Sequence, residues 1–410
     1  MLIKKIDFKH IIIIISIFSI FLGTLIFTQS YKNLHVFSFK ERIKLSNASV
    51  PIVIDDADPT KNWSFCVTNY DWCSGSGTWN NPYVIEGLYF ENLKYPDDAL
   101  TIKNSNAVFI LRNCMLYNCQ FGFYLNDTNN GIIAYNSIIA HGVLEDWGWS
   151  RAIDLNYCEN ITLNNNFIIG EYEYTTIELE DCVNISLINN LGIDTNSRIS
   201  LRRSNYCEIS ACNFGLLFDN SHYNQIKNNS LSEASITLDF STFNNISNNK
   251  ITISDALIGI NLEYYSDNNI INQNELTTGA GGIWLWDNCD SNNITKNTIT
   301  FENKKRQTNV GDHGISITRG LYNIIDANNI SYYNFGLSLI WSNYSTITNN
   351  IFNHTRNCIT QTQCSDNYVA DNICIEPPSP FISGYSWFLL IFIVLSSLVI
   401  VIIKLRKKWI

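Results

Sequence analysis

A short motif recurs along the middle of the chain, and it constrains the fold more than any other feature. Most copies have the form N-x-I-x-x-N-x-I and are followed, after a gap, by G-I-x-L-x, but the first position is Cys at 207 and Ser at 345. The first position of the motif falls at residues 106, 130, 160, 184, 207, 224, 245, 269, 293, 323, 345 and 367. A period of about 23 residues indicates a repeat protein, built by stacking one structural unit on the next.

The spacing of apolar residues within each copy indicates strands. These residues are mostly Ile at alternating positions, and Asn and Gly bound each short run. A leucine-rich repeat has a similar period, but it needs a helical half that is missing here. The pattern therefore predicts an all-β fold, a single-stranded right-handed parallel β-helix of about eleven coils. Five isoleucines are expected to stack as one internal column: Ile161, Ile185, Ile246, Ile270 and Ile294.

The recurrent Asn has a physical reason to be there. The chain holds 56 Asn, against 20 Gly and 7 Pro, so this is not an ordinary excess of loop residues. Asn tolerates the left-handed α conformation, and its amide can bond to an amide one coil away. We expect the repeated Asn to sit at a turn and to form an internal ladder.

These features resemble a known family. The segment CSGSGTWNNPYVIE at residues 73–86, together with the repeats, resembles the NosD-like and carbohydrate-binding right-handed β-helix proteins over residues 51–376. The resemblance implies the β-helix fold but not one activity, because this architecture hosts lyases, hydrolases, epimerases and binding scaffolds. The copper role attached to the NosD name is not expected, since the six His and two Met form no cluster.

The two ends of the chain differ from the middle. Residues 11–27 and 387–403 are uncharged apolar runs, each with a basic cluster on its outer flank. Their length approaches the roughly 20 residues that span a bilayer, and the positive-inside rule places both termini in the cytoplasm. The domain organisation predicted is a signal anchor or signal peptide (1–30), a capping segment (51–98), β-helix repeats (99–376), a Pro-rich linker (377–385), a transmembrane helix (386–403) and a basic cytoplasmic tail (404–410).

Export of the middle has consequences for charge and cysteine chemistry. The formal net charge is −10, and without the basic flanks the exported part is more acidic still, which excludes nucleic acid as the expected partner. All twelve Cys lie between Cys66 and Cys374, which favours disulfides in an oxidising compartment, with buried free thiols as the alternative. N-x-[ST] sequons predict a glycoprotein, with Asn47, Asn62 and Asn353 as the best acceptors because they lie off the repeat pattern.

The G-I-x-L-x strand predicts which side chains point outward, because alternate residues of a strand face opposite sides. One outward face then carries the candidate site. Six charged residues, Asp154, Glu178, Glu180, Arg202, Asp239 and Glu263, are candidate catalytic groups, and Trp284 and Trp286 are the candidate ligand platform. Carboxylates on adjacent coils would lie about 5 Å apart, as in retaining glycosidases, or would share a Ca²⁺. The alternatives are a solvated acidic face, and a Trp pair packed under a loop.

Two coils of the repeat are longer than the others, and their insertions precede the G-I-x-L strand. One insertion ends at Asp312-His313, in a segment that resembles the G-H-G segment of polygalacturonase-like hydrolases with an extra Asp. Asp312 and His313 are therefore a further candidate catalytic pair. The other motifs of that family are absent, and a hydrogen-bonded loop histidine is the alternative.

The function expected from these observations is that of a membrane-anchored extracellular β-helix that binds carbohydrate or another surface polymer. A carbohydrate-active enzyme of the hydrolase, lyase or epimerase type is the first alternative. A structural or adhesion protein is the second. No cofactor is expected, with Ca²⁺ left open.

Overall fold

The computed structural model describes residues 46–48, 50–93, 98–119, 121–139, 151–170, 176–193, 197–254, 257–302 and 313–375. Both apolar runs proposed as membrane segments lie outside these residues. Within the described part, no helix is long and apolar enough to cross a membrane. Membrane anchoring therefore stays a prediction.

The chain divides into two compact units, Met1–Phe214 and Gly215–Ile410, which we call the first and second units. The described elements of the first unit are β1 (Ser46–Ala48), β2 (Ile52–Asp55), α1 (Trp63–Asn69), β3 (Cys73–Ser74), β4 (Tyr83–Glu86), β5 (Leu88–Glu91), β6 (Asp98–Ser105), β7 (Phe109–Arg112), β8 (Met115–Tyr117), β9 (Phe121–Thr128), β10 (Gly131–Ala134), β11 (Ser137–Ile139), β12 (Arg151–Asn156), β13 (Thr162–Asn164), β14 (Phe167–Ile169), β15 (Ile177–Glu180), β16 (Ser186–Ile188), β17 (Leu191–Gly192), β18 (Arg198–Arg202) and β19 (Glu208–Ser210).

The described elements of the second unit are all strands: β20 (Gly215–Asp219), β21 (Gln225–Lys227), β22 (Ser230–Ser232), β23 (Ile236–Asp239), β24 (Asn245–Ser247), β25 (Lys250–Ile253), β26 (Ile258–Glu263), β27 (Ile270–Asn272), β28 (Glu275–Thr278), β29 (Gly281–Leu285), β30 (Asn293–Thr295), β31 (Thr298–Phe301), β32 (His313–Thr318), β33 (Ile324–Asp326), β34 (Asn329–Ser331), β35 (Phe335–Ile340), β36 (Thr346–Thr348), β37 (Ile351–Asn353), β38 (Asn357–Thr362), β39 (Tyr368–Ala370) and β40 (Ile373–Ile375).

Within each unit, from β4 onward, each strand pairs in parallel with the third strand after it, so each turn of chain adds one strand to each of three sheets. At the start of the first unit, β3 joins β4 in antiparallel orientation. In the first unit the sheet orders are β1-β5-β8-β11-β14-β17, β2-β6-β9-β12-β15-β18 and β3-β4-β7-β10-β13-β16-β19. In the second unit they are β20-β23-β26-β29-β32-β35-β38, β21-β24-β27-β30-β33-β36-β39 and β22-β25-β28-β31-β34-β37-β40. The predicted all-β parallel β-helix is confirmed, as a solenoid of the right-handed type with about 11 turns.

The interior of each unit is a stack of aliphatic side chains, but the five isoleucines predicted to stack do not form one column. Ile246, Ile271 and Ile294 pair in register and are fully buried. Ile270 is 42% exposed instead, because its partners in register are Asn245 and Asn293. In the first unit Ile161 and Ile185 are buried, but they precede strands whose paired inward residues are Leu163 and Leu187.

The physical reason for this error is that Asn is doubled at many turns, so the motif fits equally well one residue away. We expected one Asn to adopt the left-handed turn conformation and to form the internal ladder, but two consecutive Asn share these roles. The first of each pair, such as Asn248 with φ 55°, adopts the left-handed conformation. The second, such as Asn249, is buried and donates to the amide oxygen of Asn274 at 3.0 Å. The ladder is confirmed and continues through Asn297, Asn328 and Asn350.

Candidate functional site

The pairing of the G-I-x-L strands aligns the residues of each predicted outward column within each unit, although Glu178 is buried. In the first unit Asp154 pairs with Glu178, and Glu180 pairs with Arg202. In the second unit Asp219, Asp239 and Glu263 follow one another on β20, β23 and β26. A second column in this unit aligns Asn261 of β26, Trp284 of β29 and Ser316 of β32. The two sets belong to different units.

The acids of the first unit form an ion-pair network around an arginine that sequence reasoning did not select. Arg151 is the first residue of β12, and its guanidinium lies 2.6 Å from Glu178 Oε2 through Nε and 2.6 Å from Asp154 Oδ2 through Nη1. Arg202 approaches the other oxygen of Glu178 at 3.5 Å. Glu178 is almost completely buried, so its charge is held by arginine contacts on both oxygens.

Burial dominates the electrostatics of this network. It raises the pKa of Asp154 and of Glu178, and the charge of Arg151 offsets part of each rise. The same carboxylates raise the pKa of Arg151 against the opposing effect of its own burial. A buried carboxylate that is clamped by arginine is more typical of a structural ion pair than of an acid that exchanges protons with a substrate.

Glu180 belongs to a second, more exposed part of the network. Arg203 donates to Glu180 at 2.6 Å and to Asp181 at 2.7 Å through both Nε and Nη2. The hydrogen bonds from Arg203 lower the pKa of Asp181. Among the candidate acids of the first unit, each one therefore has an arginine partner.

The acids of the second unit are arranged differently. Asp239 pairs in register with Asp219 on one side and Glu263 on the other, so carboxylates occupy three successive rungs. Burial, and then the charges of Asp219 and Glu263, raise the pKa of Asp239. Its Oδ1 is buried without a hydrogen-bond partner, and no salt bridge joins Asp239 or Glu263 to a cation within the described residues.

Trp284 and Trp286 form a stacked pair, with ring centroids 6.1 Å apart and planes 19° from parallel. Trp286 is 46% exposed. Trp284 is half-buried, and its Nε1 has no hydrogen-bond partner in the described part of the chain. A Cβ on Gly281 would lie 2.4 Å from that Nε1, so glycine is required beneath the indole.

His313 begins β32 and packs beside the tryptophan pair. Its ring stacks on Phe335 with centroids 4.8 Å apart and meets Trp284 edge-on at 6.2 Å. Burial lowers the pKa of His313 and so favours the neutral imidazole. Nδ1 is buried and unpaired among the described residues. Asp312 lies outside those residues, so the proposed Asp312–His313 pair stays a prediction.

One more polar residue belongs here and was not selected from the sequence. Asn261 donates through Nδ2 to the Glu263 carboxylate, and its Oδ1 is buried without a partner. We use the term tryptophan face for the outward surface of β23, β26, β29 and β32 in the second unit. It carries Asp239, Asn261, Glu263, Trp284, Trp286 and His313. The Trp pair is the sequence feature that predicted the tryptophan face.

The remaining predicted sites are less informative. Asn62 Oδ1 accepts from the backbone of Phe65 and caps α1, and Asn353 lies within hydrogen-bond distance of His354 Nδ1. The side chain of Asn47 lies outside the described residues. None of the three glycosylation predictions is tested by these contacts. Within the described ranges, no group of three or more His, Cys, Asp or Glu is placed to hold a metal ion, so neither a copper nor a calcium site is supported.

A comparison with protein-family models matches this chain at residues 164–311 and 215–373 to the family described as periplasmic copper-binding protein, NosD. The two matches together span half of the chain. The chain belongs to the NosD family. The copper named in that description does not fit the described residues, because no cluster of His, Cys, Asp or Glu among them could hold the ion.

Solved structures similar to this NosD-family chain are β-helix proteins with low sequence identity. A mutant tailspike protein of E. coli bacteriophage HK620, in complex with a pentasaccharide, is 10% identical, with a TM-score of 0.50 over 73% of this chain and 66% of the other. The periplasmic alginate epimerase AlgG, as a double mutant, is 12% identical, with a TM-score of 0.48 over 82% and 88%. At such identities the tailspike likeness shows the fold alone. A search of curated proteins found no match.

Proposed function

We propose that this NosD-family chain is an exported β-helix protein that binds an uncharged polysaccharide on the tryptophan face. The observation that carries the proposal is the concentration of unpaired buried polar atoms beside the Trp pair. Asp239 Oδ1, Asn261 Oδ1, Trp284 Nε1 and His313 Nδ1 all lack partners within the described residues, and all lie on this one face.

Such atoms are costly to leave unsatisfied. A buried donor or acceptor without a partner costs about 1–3 kcal/mol, and native proteins contain few of them. A ligand rich in hydroxyl groups would offer both donors and acceptors. The unpaired atoms of the tryptophan face need donors as well as acceptors from a ligand. The indole N–H donates, whereas the amide and carboxylate oxygens accept.

The aromatic pair supplies the apolar part of the same recognition. The exposed ring of Trp286 offers a flat surface to the C–H face of a sugar ring, while hydroxyls at the edge of the sugar reach the polar atoms. The similar tailspike was solved with a bound pentasaccharide, which supports a glycan as the kind of ligand that this architecture accommodates.

Charge narrows the class of polysaccharide. The tryptophan face carries Asp239 and Glu263, and neither has a cation partner among the described residues. A polyanion such as an alginate or pectate chain would be repelled there. We therefore expect neutral glycans to bind, and we expect binding to change little with salt concentration.

A glycan array with the full-length chain in detergent tests the proposal. We expect binding to one or a few neutral glycans, and loss of that binding in the Trp284→Ala/Trp286→Ala variant. Retention of the same binding by this variant, or binding confined to acidic glycans, would overturn the proposal.

A carbohydrate-active enzyme is the second candidate, and one observation favours it. The raised pKa of Asp239, between carboxylates on adjacent rungs, is the property that a general acid needs. Adjacent rungs lie about 5 Å apart, close to the separation used by retaining glycosidases. Release of reducing ends from a bound glycan, abolished by Asp239→Asn with binding retained, would establish the enzyme. Binding without release would establish a binding protein.

Location at the plasma membrane is part of the same proposal. The terminal apolar runs and their basic flanks support anchoring, and the periplasmic description of the NosD family supports export. Protease added to intact cells, or to spheroplasts where an outer membrane is present, should degrade the β-helix and spare a tag on the basic C-terminal tail. Protection of the β-helix under those conditions would contradict this topology.

A further inference from the structure

The described cysteines fall into three groups according to the bonds that their sulfur atoms make. Cys358 and Cys374 form a disulfide. Eight thiols donate to backbone carbonyl oxygens at 3.1 to 3.6 Å: Cys114, Cys119, Cys158, Cys182, Cys207, Cys212, Cys289 and Cys364. Cys66 and Cys73 make no such bond within the described residues, and the Cys66 thiol interacts with Cys73 instead. Cys158 and Cys182 also interact with each other, but each of them keeps a bond to a backbone carbonyl.

The eight donating thiols behave as replacements for serine. Cys182 Sγ lies 3.3 Å from Leu155 O and from Glu180 O, and on the next rung Ser204 Oγ makes the equivalent contacts to Leu179 O and Arg202 O at 3.1 Å. A thiol in this position uses its hydrogen for the carbonyl. Oxidation would remove that hydrogen, so these cysteines are suited to stay reduced.

Cys66 and Cys73 have a different setting. Cys66 lies in α1 and Cys73 in β3, and both are almost completely buried. Two backbone bonds hold them together: Tyr70 N donates to Cys66 O at 3.0 Å, and Cys73 N donates to Tyr70 O at 3.4 Å. Cys66 also lines a cavity of about 390 Å³ with Phe65, Tyr70 and Trp72.

We propose that Cys66 and Cys73 are joined by a disulfide in the exported protein. The oxidant is the disulfide of a thiol–disulfide oxidoreductase, or of oxidised glutathione. The Cys66 thiolate attacks that disulfide to form a mixed disulfide, and the Cys73 thiolate then attacks Cys66 Sγ and expels the reduced donor. Two thiol protons leave to solvent, and two electrons pass to the donor.

The bond would close the cap of the first unit. The contact with Cys73 and burial both raise the pKa of Cys66, so the folded pair reacts slowly and the bond should form while the cap is folding. A covalent link would tie α1 to β3, the edge strand of its sheet. The link encloses a short loop, so its effect on stability is modest.

Peptide mapping of the full-length chain, exported by a host cell and alkylated during lysis, tests the assignment. Cleavage before Asp71 separates the two cysteines. Without reductant, the fragments that contain Cys66 and Cys73 should elute as one linked species, which separates after reduction. The expected total is two disulfides and eight alkylated thiols. Alkylated Cys66 and Cys73, or a linkage between Cys158 and Cys182, would overturn the assignment.

A stability measurement gives an independent test. Cys66→Ser/Cys73→Ser should lower the Tm of the first unit by about 5 °C without reductant, and reduced parent protein should match this variant. Cys114→Ser is the control, because that buried thiol donates to a carbonyl and should leave the Cys66–Cys73 linkage intact. An unchanged Tm in the double variant would count against a cross-link in the folded cap.

Discussion

The carboxylates of the first and second units lie on the same kind of strand, yet their surroundings are opposite. Asp154 and Glu178 occupy the outward position between the two inward residues, and Asp239 and Glu263 occupy the next outward position along the strand. Asp154 and Glu178 in the first unit are clamped by Arg151, and Glu178 also contacts Arg202. Asp239 and Glu263 in the second unit follow another acid and have no cation partner among the described residues. Arginine therefore decides whether an acid on this scaffold acts as a structural group or stays available to a ligand.

The same contrast holds for polar atoms in general. The network of the first unit uses its carboxylate oxygens on protein donors, and it leaves Asp154 Oδ1 and the amide oxygen of the neighbouring Asn156 without a partner. The tryptophan face leaves donors and acceptors of four residues unpaired. Where the polar groups of a surface already have hydrogen-bond partners, new hydrogen bonds to a ligand add little to the free energy of binding. Where the groups lack partners, each contact with a ligand adds a hydrogen bond.

The largest effect is expected from removing the aromatic platform. Trp284→Ala/Trp286→Ala should weaken glycan binding at least about 100-fold, because two aromatic contacts at the centre of a site are lost together. Titration calorimetry with the glycan found on the array measures this. Tyr322→Ala/Tyr344→Ala removes a stacked, exposed pair from turns of the same unit and should leave the affinity unchanged. Equal losses in both variants would show that general aromatic exposure, and not this face, binds the glycan.

The next effect tests the structural role of the first unit. Arg151→Ala should destabilise the protein by about 3 kcal/mol, because it leaves the buried carboxylate of Glu178 with a single distant partner. Urea unfolding followed by fluorescence measures the loss. Glycan affinity should stay at the parent value. A loss of affinity without a loss of stability would move the site to the first unit.

A smaller effect tests the unpaired acids of the second unit through the pH dependence of stability. The folded-state pKa of Asp239 is raised, so the folded protein binds this proton more tightly than the unfolded chain does. The contribution of this group to stability is therefore present below the unfolded pKa, near 4, and is lost as the pH rises through the folded value. Asp239→Asn should raise the Tm at pH 7 by about 2 °C, and the gain should vanish near pH 4. A lower Tm at pH 7 would show a stabilising cation that the geometry lacks.

The fold could be predicted because every turn of the β-helix needs the same alternation of inward apolar and outward polar residues. Two inward aliphatic residues flank one outward residue in G-I-x-L, and the one-sided burial of such a strand fixes its register. The N-x-I part of the motif is weaker, because a doubled Asn such as Asn268-Asn269 allows two alignments. That ambiguity placed Ile270 inside, whereas the structure buries Ile271.

The site could be predicted only in part. Which residues face outward followed from the alternation of the strand, so the Trp pair and the acids were found. Whether an acid is paired did not follow, because Arg151 lies outside the G-I-x-L motif and 27 positions before Glu178. The acceptor role of Asn261 was hidden for another reason: one Asn in 56 carries no signal until its hydrogen bonds are known.

The smallest effect concerns the exposed edge of the first-unit network. Arg203 holds Asp181 through two hydrogen bonds at 2.7 Å, and this contact lowers the pKa of Asp181. The stability that results is present above the unfolded pKa of Asp181, near 4, and is lost as the pH falls through the lower folded value. Arg203→Ala should therefore raise the pKa of Asp181 towards its ordinary value, as followed by carboxyl NMR, with no resolvable change in the urea midpoint at pH 7 because the pair is exposed to solvent. Arg203→Lys should restore only part of the shift, since a lysine cannot make both bonds at once. A midpoint shift as large as that of Arg151→Ala would mean that the exposed and buried halves of the network are one cooperative unit, and the contrast between the two units would then extend to the whole acidic surface of the first.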